Sequence, residues 1–253
     1  MSGHSKWSSI KHQKGVTDAR RGQLFTKLAR ELSVAARQGG AEPEMNVRLR
    51  LAIQKARDSN MPLDNIERAV KRGAGVGDGN QSAMEEVVYE GYGPGGAAIL
   101  LEALTDNATR TVSEVRNVLS RAGGNLGERG CVAWNFESTG VITVETSQEE
   151  AEDLALLAID AGAEDFDLDE AQLEVRTNPG AFEQVRKALE EKGATLARAE
   201  LSMMPKATVQ LEAKQAAQTL RLLDRLEELD DIQHVYTNAD FPEESLEEYR
   251  KAG

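Results

Sequence analysis

The stretch Ser5-Lys6-Trp7-Ser8-Ser9-Ile10-Lys11-His12-Gln13-Lys14 sets an aromatic ring among closely spaced cations. That pattern suits nucleic acid, where cations neutralise phosphates and an indole stacks on a base. The plainer reading is a solvated tail with Trp7 tucked against the protein. The surrounding charge favours the first. Residues 1–77 carry 15 Lys and Arg against 7 Asp and Glu, a net of +8. Folding needs no such excess, and its self-repulsion has a cost. The candidate contacts are Lys6, Lys11, His12, Lys14, Arg20, Arg21, Lys27, Arg30 and Arg37, with Trp7 as the stacking ring. A second polar constellation holds Thr105-Asp-Asn107, Arg110-Thr111, Arg116-Asn117, Arg121 and Gly123-Gly-Asn-Leu-Gly127. It reads either as helix-surface charge with a glycine cap, or as an auxiliary phosphate-contacting patch of Asn107, Arg110, Arg116 and Arg121.

Other chemistry finds little support. Gly91-Tyr-Gly-Pro-Gly-Gly96 fits the G-x-G-x-x-G spacing of dinucleotide sites, but these need a strand–helix–strand unit. Here the apolar Ala97–Leu104 is too short for that helix and another helix follows, so a hairpin turn is expected. His4 and His12 cannot share a helical face at four-residue spacing, and His234 stands alone in a strand. A lone Cys131 makes neither an internal disulfide nor a thiolate cage, and reads as a small buried hydrophobe. The acidic Glu164–Glu170 run lacks calcium-loop spacing and reads as a solvated strand edge. Asn107-Ala-Thr109 matches a glycosylation acceptor, of no consequence without secretion. No catalytic residue, metal or cofactor is expected.

The elements that would position these groups can be read from periodicity. From Gly22 to Gln38, Leu24, Phe25, Leu28, Leu32, Ala35 and Ala36 fall on one helical arc, with Arg20, Lys27, Arg30 and Arg37 opposite. A second helix spans about Asn46–Arg57, and a third opens at Pro62 and stops at Gly73, together a three-helix bundle. Gly73–Asn80 reads as a hinge. Strands Glu86–Tyr92 and Ala97–Thr105 and helix Thr109–Ala122 follow. Short strands are expected at Val132–Phe136 and Gly140–Glu145, joined by a Ser-Thr-Gly turn. From Val141 the order is β-α-β-β-α-β, a ferredoxin-like unit. Ala207–Leu211, a helix near Ala213–Glu228 and Asp231–Thr237 add β-α-β, which complements the unfinished β-β-α of 86–122. The fold class expected is α+β, a helical bundle followed by two ferredoxin-like-type α/β domains, one inserted in the other. The divisions are 1–77, 78–130 plus 205–240, the inserted 131–204, and a C-terminal tail at 241–253.

At 253 residues and 40% hydrophobic the chain has room for several packed cores. No apolar run approaches the roughly 18–20 residues of a membrane helix, and no secretory signal opens the chain. A cytoplasmic protein is expected. The net charge of −13 averages unlike parts, since residues 78–253 hold 15 Lys and Arg against 36 Asp and Glu, a net of −21. A cationic module is joined to an anionic body.

Gly3-His-Ser-Lys-Trp7, Lys11-His12, Asp18, Arg21-Gly22, Phe25-Thr-Lys27, Ala35-Ala-Arg37, Asn60-Met-Pro62, Asp64-Asn65-Ile66, Arg68-Ala69 and Arg72-Gly73 resemble the YebC/PmpR family. So do Tyr89–Gly96, Thr105-Asp-Asn107, Arg110-Thr111 and Gly123–Gly127. Ser8-Ser9 departs from the family pattern. The resemblance implies three domains and a non-catalytic role in gene expression. Its members are described as DNA-binding transcriptional regulators, while mitochondrial relatives activate translation and some bacterial relatives act on ribosomes stalled at proline runs. Two readings stand. One is a DNA-binding regulator, against which no helix-turn-helix or zipper is found. The other is a ribosome-associated, RNA-binding translation factor. The partner is DNA or ribosomal RNA, with no membrane, and a monomer is expected.

Overall fold

The computed structural model describes Trp7, Ile10 and residues 18–75, 84–169 and 172–251. Most of the glycine-rich hinge expected at 73–80 lies outside them. Helices α1 (Asp18–Gly39), α2 (Val47–Asp58) and α3 (Leu63–Gly73) come first. Their apolar arcs meet in one core of Leu28, Leu32 and Ala35 from α1, Leu49, Ala52 and Ala56 from α2, and Ile66 and Ala69 from α3. Caps set the limits. Gly40 takes up φ +88° just past α1, a conformation that glycine adopts without strain. The buried Asn46 accepts from the Leu49 N–H at 3.0 Å and donates to the carbonyls of Ala35 and Gly40, each at 2.8 Å. One side chain thereby starts α2 and ties it to the end of α1.

Strands β1 (Glu85–Tyr92) and β2 (Ala98–Thr105) form an antiparallel hairpin, so Gly91–Gly96 is a turn and not a dinucleotide loop. The Gly93 N–H donates to the Ala97 carbonyl at 2.8 Å, while Gly95 and Gly96 both take positive φ. Helix α4 (Ala108–Arg121) and strand β3 (Asn125–Leu126) follow.

The chain then builds a second sheet from β4 (Phe136–Glu145), β5 (Asp165–Asp169), β6 (Gln172–Thr177) and β7 (Thr195–Pro205). Helices α5 (Gln148–Asp160) and α6 (Phe182–Glu191) supply its crossovers. The order β5-β6-β4-β7, antiparallel throughout, is the ferredoxin-like arrangement.

The closing segment holds β8 (Val209–Gln210), α7 (Ala213–Glu227), β9 (Ile232–Thr237), β10 (Ala239–Asp240) and α8 (Glu243–Lys251). Strand β9 returns to pair with β2, giving the first sheet the order β3-β1-β2-β9. Ile99, Leu101 and Ala103 of β2 join the core under α4 and α7, while Ala98 and Leu100 pack with Val132, Phe136 and Tyr236 on the other face. Burial on both faces explains why β2 is an unbroken apolar run without alternation. Glu90, 4% exposed, accepts from the N–H groups of Gly130, Val132 and Ala133 at 2.6–2.8 Å. It pins the chain where it leaves the first sheet for the second.

Some expected elements differ. Val132–Phe136 holds a single 3-10 turn at Ala133–Asn135 where a strand was expected. The expected Ser138-Thr139-Gly140 turn lies inside β4, paired with Leu201, Ser202 and Met203. Here β7 offers a partner along its whole length, and pairing overrides turn propensity. Gly140 is small because a Cβ there would strike Thr177 and Phe182. Segment 207–211 yields only β8, which pairs with β10 outside both larger sheets. Residues 241–253, expected as a tail, contain α8, whose Leu246 is buried and whose Tyr249 hydroxyl donates to Asp224 at 2.5 Å.

Candidate nucleic-acid interface

The cationic arc of α1 is turned toward the body. Lys27 Nζ donates to the Glu227 carbonyl at 2.5 Å, Gln23 to that of Glu228 at 2.5 Å, and Arg30 to that of Asp230 at 2.5 Å. These carbonyls lie at the C-terminal end of α7 and just beyond it, where helix carbonyls lack intrahelical donors and the dipole is negative. Arg37 donates to the Met84 carbonyl. The expectation of an open phosphate-facing arc at Lys27, Arg30 and Arg37 is therefore corrected. Cations opposite an apolar arc can meet carbonyls as readily as phosphates, and here the anionic body supplies the carbonyls.

Asp231 is the centre of this contact. Its buried carboxylate accepts from Arg30 at 2.9 Å, Arg110 at 2.7 Å and the Thr111 hydroxyl at 2.7 Å, with Thr105 at 3.2 Å. Burial opposes its ionisation, but the Arg110 and Thr111 hydrogen bonds and the Arg30 charge outweigh it. The carboxyl is held below its ordinary range. Arg110 also bonds Asp106 at 2.8 Å, and the two carboxylates raise its own pKa. Asn107 is the N-cap of α4, accepting from the Arg110 N–H at 3.0 Å. Beside Asp231 lies a cleft of about 360 Å³ in which Arg30 and Arg110 face Glu114, Glu228, Asp230 and Asp231. Carboxylates outnumber guanidiniums there, so the cleft does not attract an anion. Of the auxiliary patch, Asn107 and Arg110 thus serve the fold, while Arg116 and Arg121 are exposed on α4 without an ion pair among the described residues.

Trp7 is 1% exposed and packs with Ile10 in the core shared by α7, α8 and the first sheet, its indole beside the Tyr249 phenol. No face is open to a base, which corrects the stacking role. Lys6, Lys11, His12 and Lys14 lie outside the described residues, as does the side chain of Arg20. Arg21 is exposed near the start of α1.

Further exposed cations, absent from the candidates read from sequence, lie on α2 and α3. Arg50, Arg57, Arg68 and Arg72 are exposed, and none pairs with a carboxylate among the described residues. Their signal was available: each falls outside the apolar arc of its helix, and only Arg68 has an acidic residue, Asp64, four positions away. Arg48, by contrast, is bound to Glu86 at 2.5 Å, and Lys55 lies 3.8 Å from Glu200. Cys131 is half-buried, and burial together with the Glu90 charge pushes its thiol up, away from reactivity. Among the described residues no cluster of His, Cys, Asp and Glu could hold a metal ion, and no helix is long and apolar enough to cross a membrane.

Known proteins share this arrangement along nearly the whole chain. A "probable transcriptional regulatory protein" of Dehalococcoides mccartyi strain BAV1 is 55% identical over 249 residues, covering 98% of each chain. One of Trichlorobacter lovleyi is 53% identical over 247 residues, covering 98% of this chain and 99% of its own. The crystal structure of a conserved hypothetical protein from Aquifex aeolicus superposes with a TM-score of 0.80 at 46% identity, covering 89% of this chain and 93% of that one. Residues 5–76 match the TACO1/YebC protein N-terminal domain and residues 84–239 the TACO1/YebC second and third domain, and the chain belongs to that family.

Proposed function

We propose that this protein is a non-catalytic, nucleic-acid-binding regulator of gene expression in the cytoplasm, gripping phosphates through its N-terminal helical module. The observation that carries the reading is a cationic surface left over after folding. Lys27, Arg30 and Arg37 are consumed by contacts with the body, yet Arg50, Arg57, Arg68 and Arg72 stay exposed without a carboxylate partner among the described residues. With Arg21 and the N-terminal cations Lys6, Lys11, Lys14 and Arg20, they would neutralise phosphates on one partner. The relatives' description as transcriptional regulatory proteins supports DNA as that partner. One observation favours structured RNA on a ribosome instead. The longest helix, α1, has its cationic face on the body, so it cannot serve as a recognition helix in a major groove.

The test is ultraviolet crosslinking in living cells, with RNase and DNase applied separately to the purified adduct. A full-length variant with Arg50, Arg57, Arg68 and Arg72 replaced by Ala runs beside the parent. A DNase-sensitive adduct at promoters, lost in the variant, makes this a transcription regulator. An RNase-sensitive adduct on ribosomal RNA, similarly lost, makes it a translation factor. An adduct that survives in the variant removes the module from the contact.

A further inference from the structure

Helices α1 and α3 touch closely at one place and part elsewhere. Ser33 Oγ donates to the Ala69 carbonyl at 2.8 Å, and a Cβ at Gly73 would collide with the Ser33 carbonyl. Away from that contact the helices leave a groove of about 350 Å³, within the range of small-ligand sites. Arg68 and Arg72 stand on its rim, four residues apart on one face of α3. Arg68 donates only to Asn65 Oδ1, at 3.0 Å, and Arg72 has no partner among the described residues. Like charges at this spacing repel one another, so an anion between them relieves a cost already present in the fold. The inner wall is apolar: Met61 is buried and Phe25 half-buried. A guanidinium rim over an aromatic and thioether floor matches the two halves of a nucleotide.

We propose that this groove is a subsite for one nucleotide of a single-stranded nucleic acid. Its phosphate lies between Arg68 and Arg72 and its base against Phe25 and Met61. A base inside a duplex is stacked and paired and cannot enter a concave site, whereas an unpaired base is free to do so. The inference rests on the nucleic-acid reading and narrows it to unpaired segments.

The test uses the full chain and fluorescence anisotropy with a short labelled RNA, the DNA of the same sequence, and its duplex. Three variants are compared after circular dichroism has established that they fold. Arg68→Ala with Arg72→Ala empties the rim. Arg50→Ala with Arg57→Ala removes the same charge elsewhere on the bundle. Thr26→Trp, at an exposed position lining the groove, obstructs it without changing charge. The rim variant is expected to lose about tenfold in single-strand affinity and to flatten the salt slope by about 1.4, some 0.7 per lost phosphate contact. The Arg50 and Arg57 pair loses about threefold. Thr26→Trp loses about tenfold with its slope unchanged, and duplex binding ignores it. The RNA and DNA arms identify the sugar. Equal losses from the two arginine pairs overturn the subsite while leaving the nucleic-acid reading in place, and they do so even if Thr26→Trp does not fold. A parent protein that binds none of the probes overturns both.

Discussion

His234 lies on β9 opposite Glu102 of β2, its ring stacked on Tyr236 with centroids 5.9 Å apart. The groups around it come from three directions: Lys27 and Glu31 from α1, Lys55 from α2, and Glu200 from β7. Burial, then the Lys55 charge, hold the imidazole far below its ordinary value, at about 4, against the opposing pull of Glu31 and Glu200. Below about pH 6.5 the unfolded chain gains a proton here that the native protein refuses. Stability is therefore complete above that pH, declines as pH falls toward 4, and stops declining through this group below it. His234→Phe keeps a ring against Tyr236 and removes the titration. Urea unfolding at pH 7 and pH 4.5 should show the difference in stability between parent and variant changing by on the order of 2 kcal/mol, in the variant's favour at the lower pH. A difference that does not change with pH would show that the imidazole is solvated in the folded protein.

Between elements, Asp231 joins α1, α4 and β2 through a single carboxylate. Asp231→Asn would remove the charge that both Arg30 and Arg110 approach and place an amide donor among their donors. A loss of about 2–4 kcal/mol in urea unfolding, with the m-value unchanged, is expected. Asp106→Asn, which touches only the exposed side of Arg110, should stay within about 0.5 kcal/mol. A small loss at Asp231 would mean that the bundle is held by other contacts. The same elements show what was readable from sequence. Helix limits agreed within a few residues because Asn46, Pro62, Gly40 and Gly73 are chemical stop and start signals that act locally. The four-stranded ferredoxin-like order followed from counting elements. The Ser138–Gly140 segment misled because its turn chemistry is local, whereas its partner on β7 is about sixty residues away in sequence. The cations of α1 misled for a related reason. An arc of Lys and Arg looks the same whether it meets phosphates or the carbonyls ending α7, some two hundred residues further on.

At the scale of the molecule, the charge boundary near residue 77 is not a mechanical boundary. Trp7 and Ile10 precede the cationic helices, yet they pack in the core beneath α7 and α8. The module is therefore tied to the body through its N-terminal segment, through Asp231 and through the Lys55–Glu200 pair. Cutting the chain at residue 77 would open the body's own core, so charge substitutions isolate the module's role more cleanly than truncation. The chain's two tryptophans make this testable: Trp7 is 1% exposed and Trp134 is 68% exposed. In a Trp134→Phe variant the remaining emission should be blue-shifted and protected from acrylamide, and it should red-shift only when the whole protein unfolds. Trp7→Ala should cost about 3–5 kcal/mol, the range for emptying a large buried aromatic site. Fluorescence in the Trp134→Phe variant and far-ultraviolet dichroism should unfold together, as one cooperative unit. Red-shifted, freely quenched emission from the folded Trp134→Phe variant would return Trp7 to the surface as a stacking ring for a base. The module would then be a separable cationic arm and not a part of the body's core.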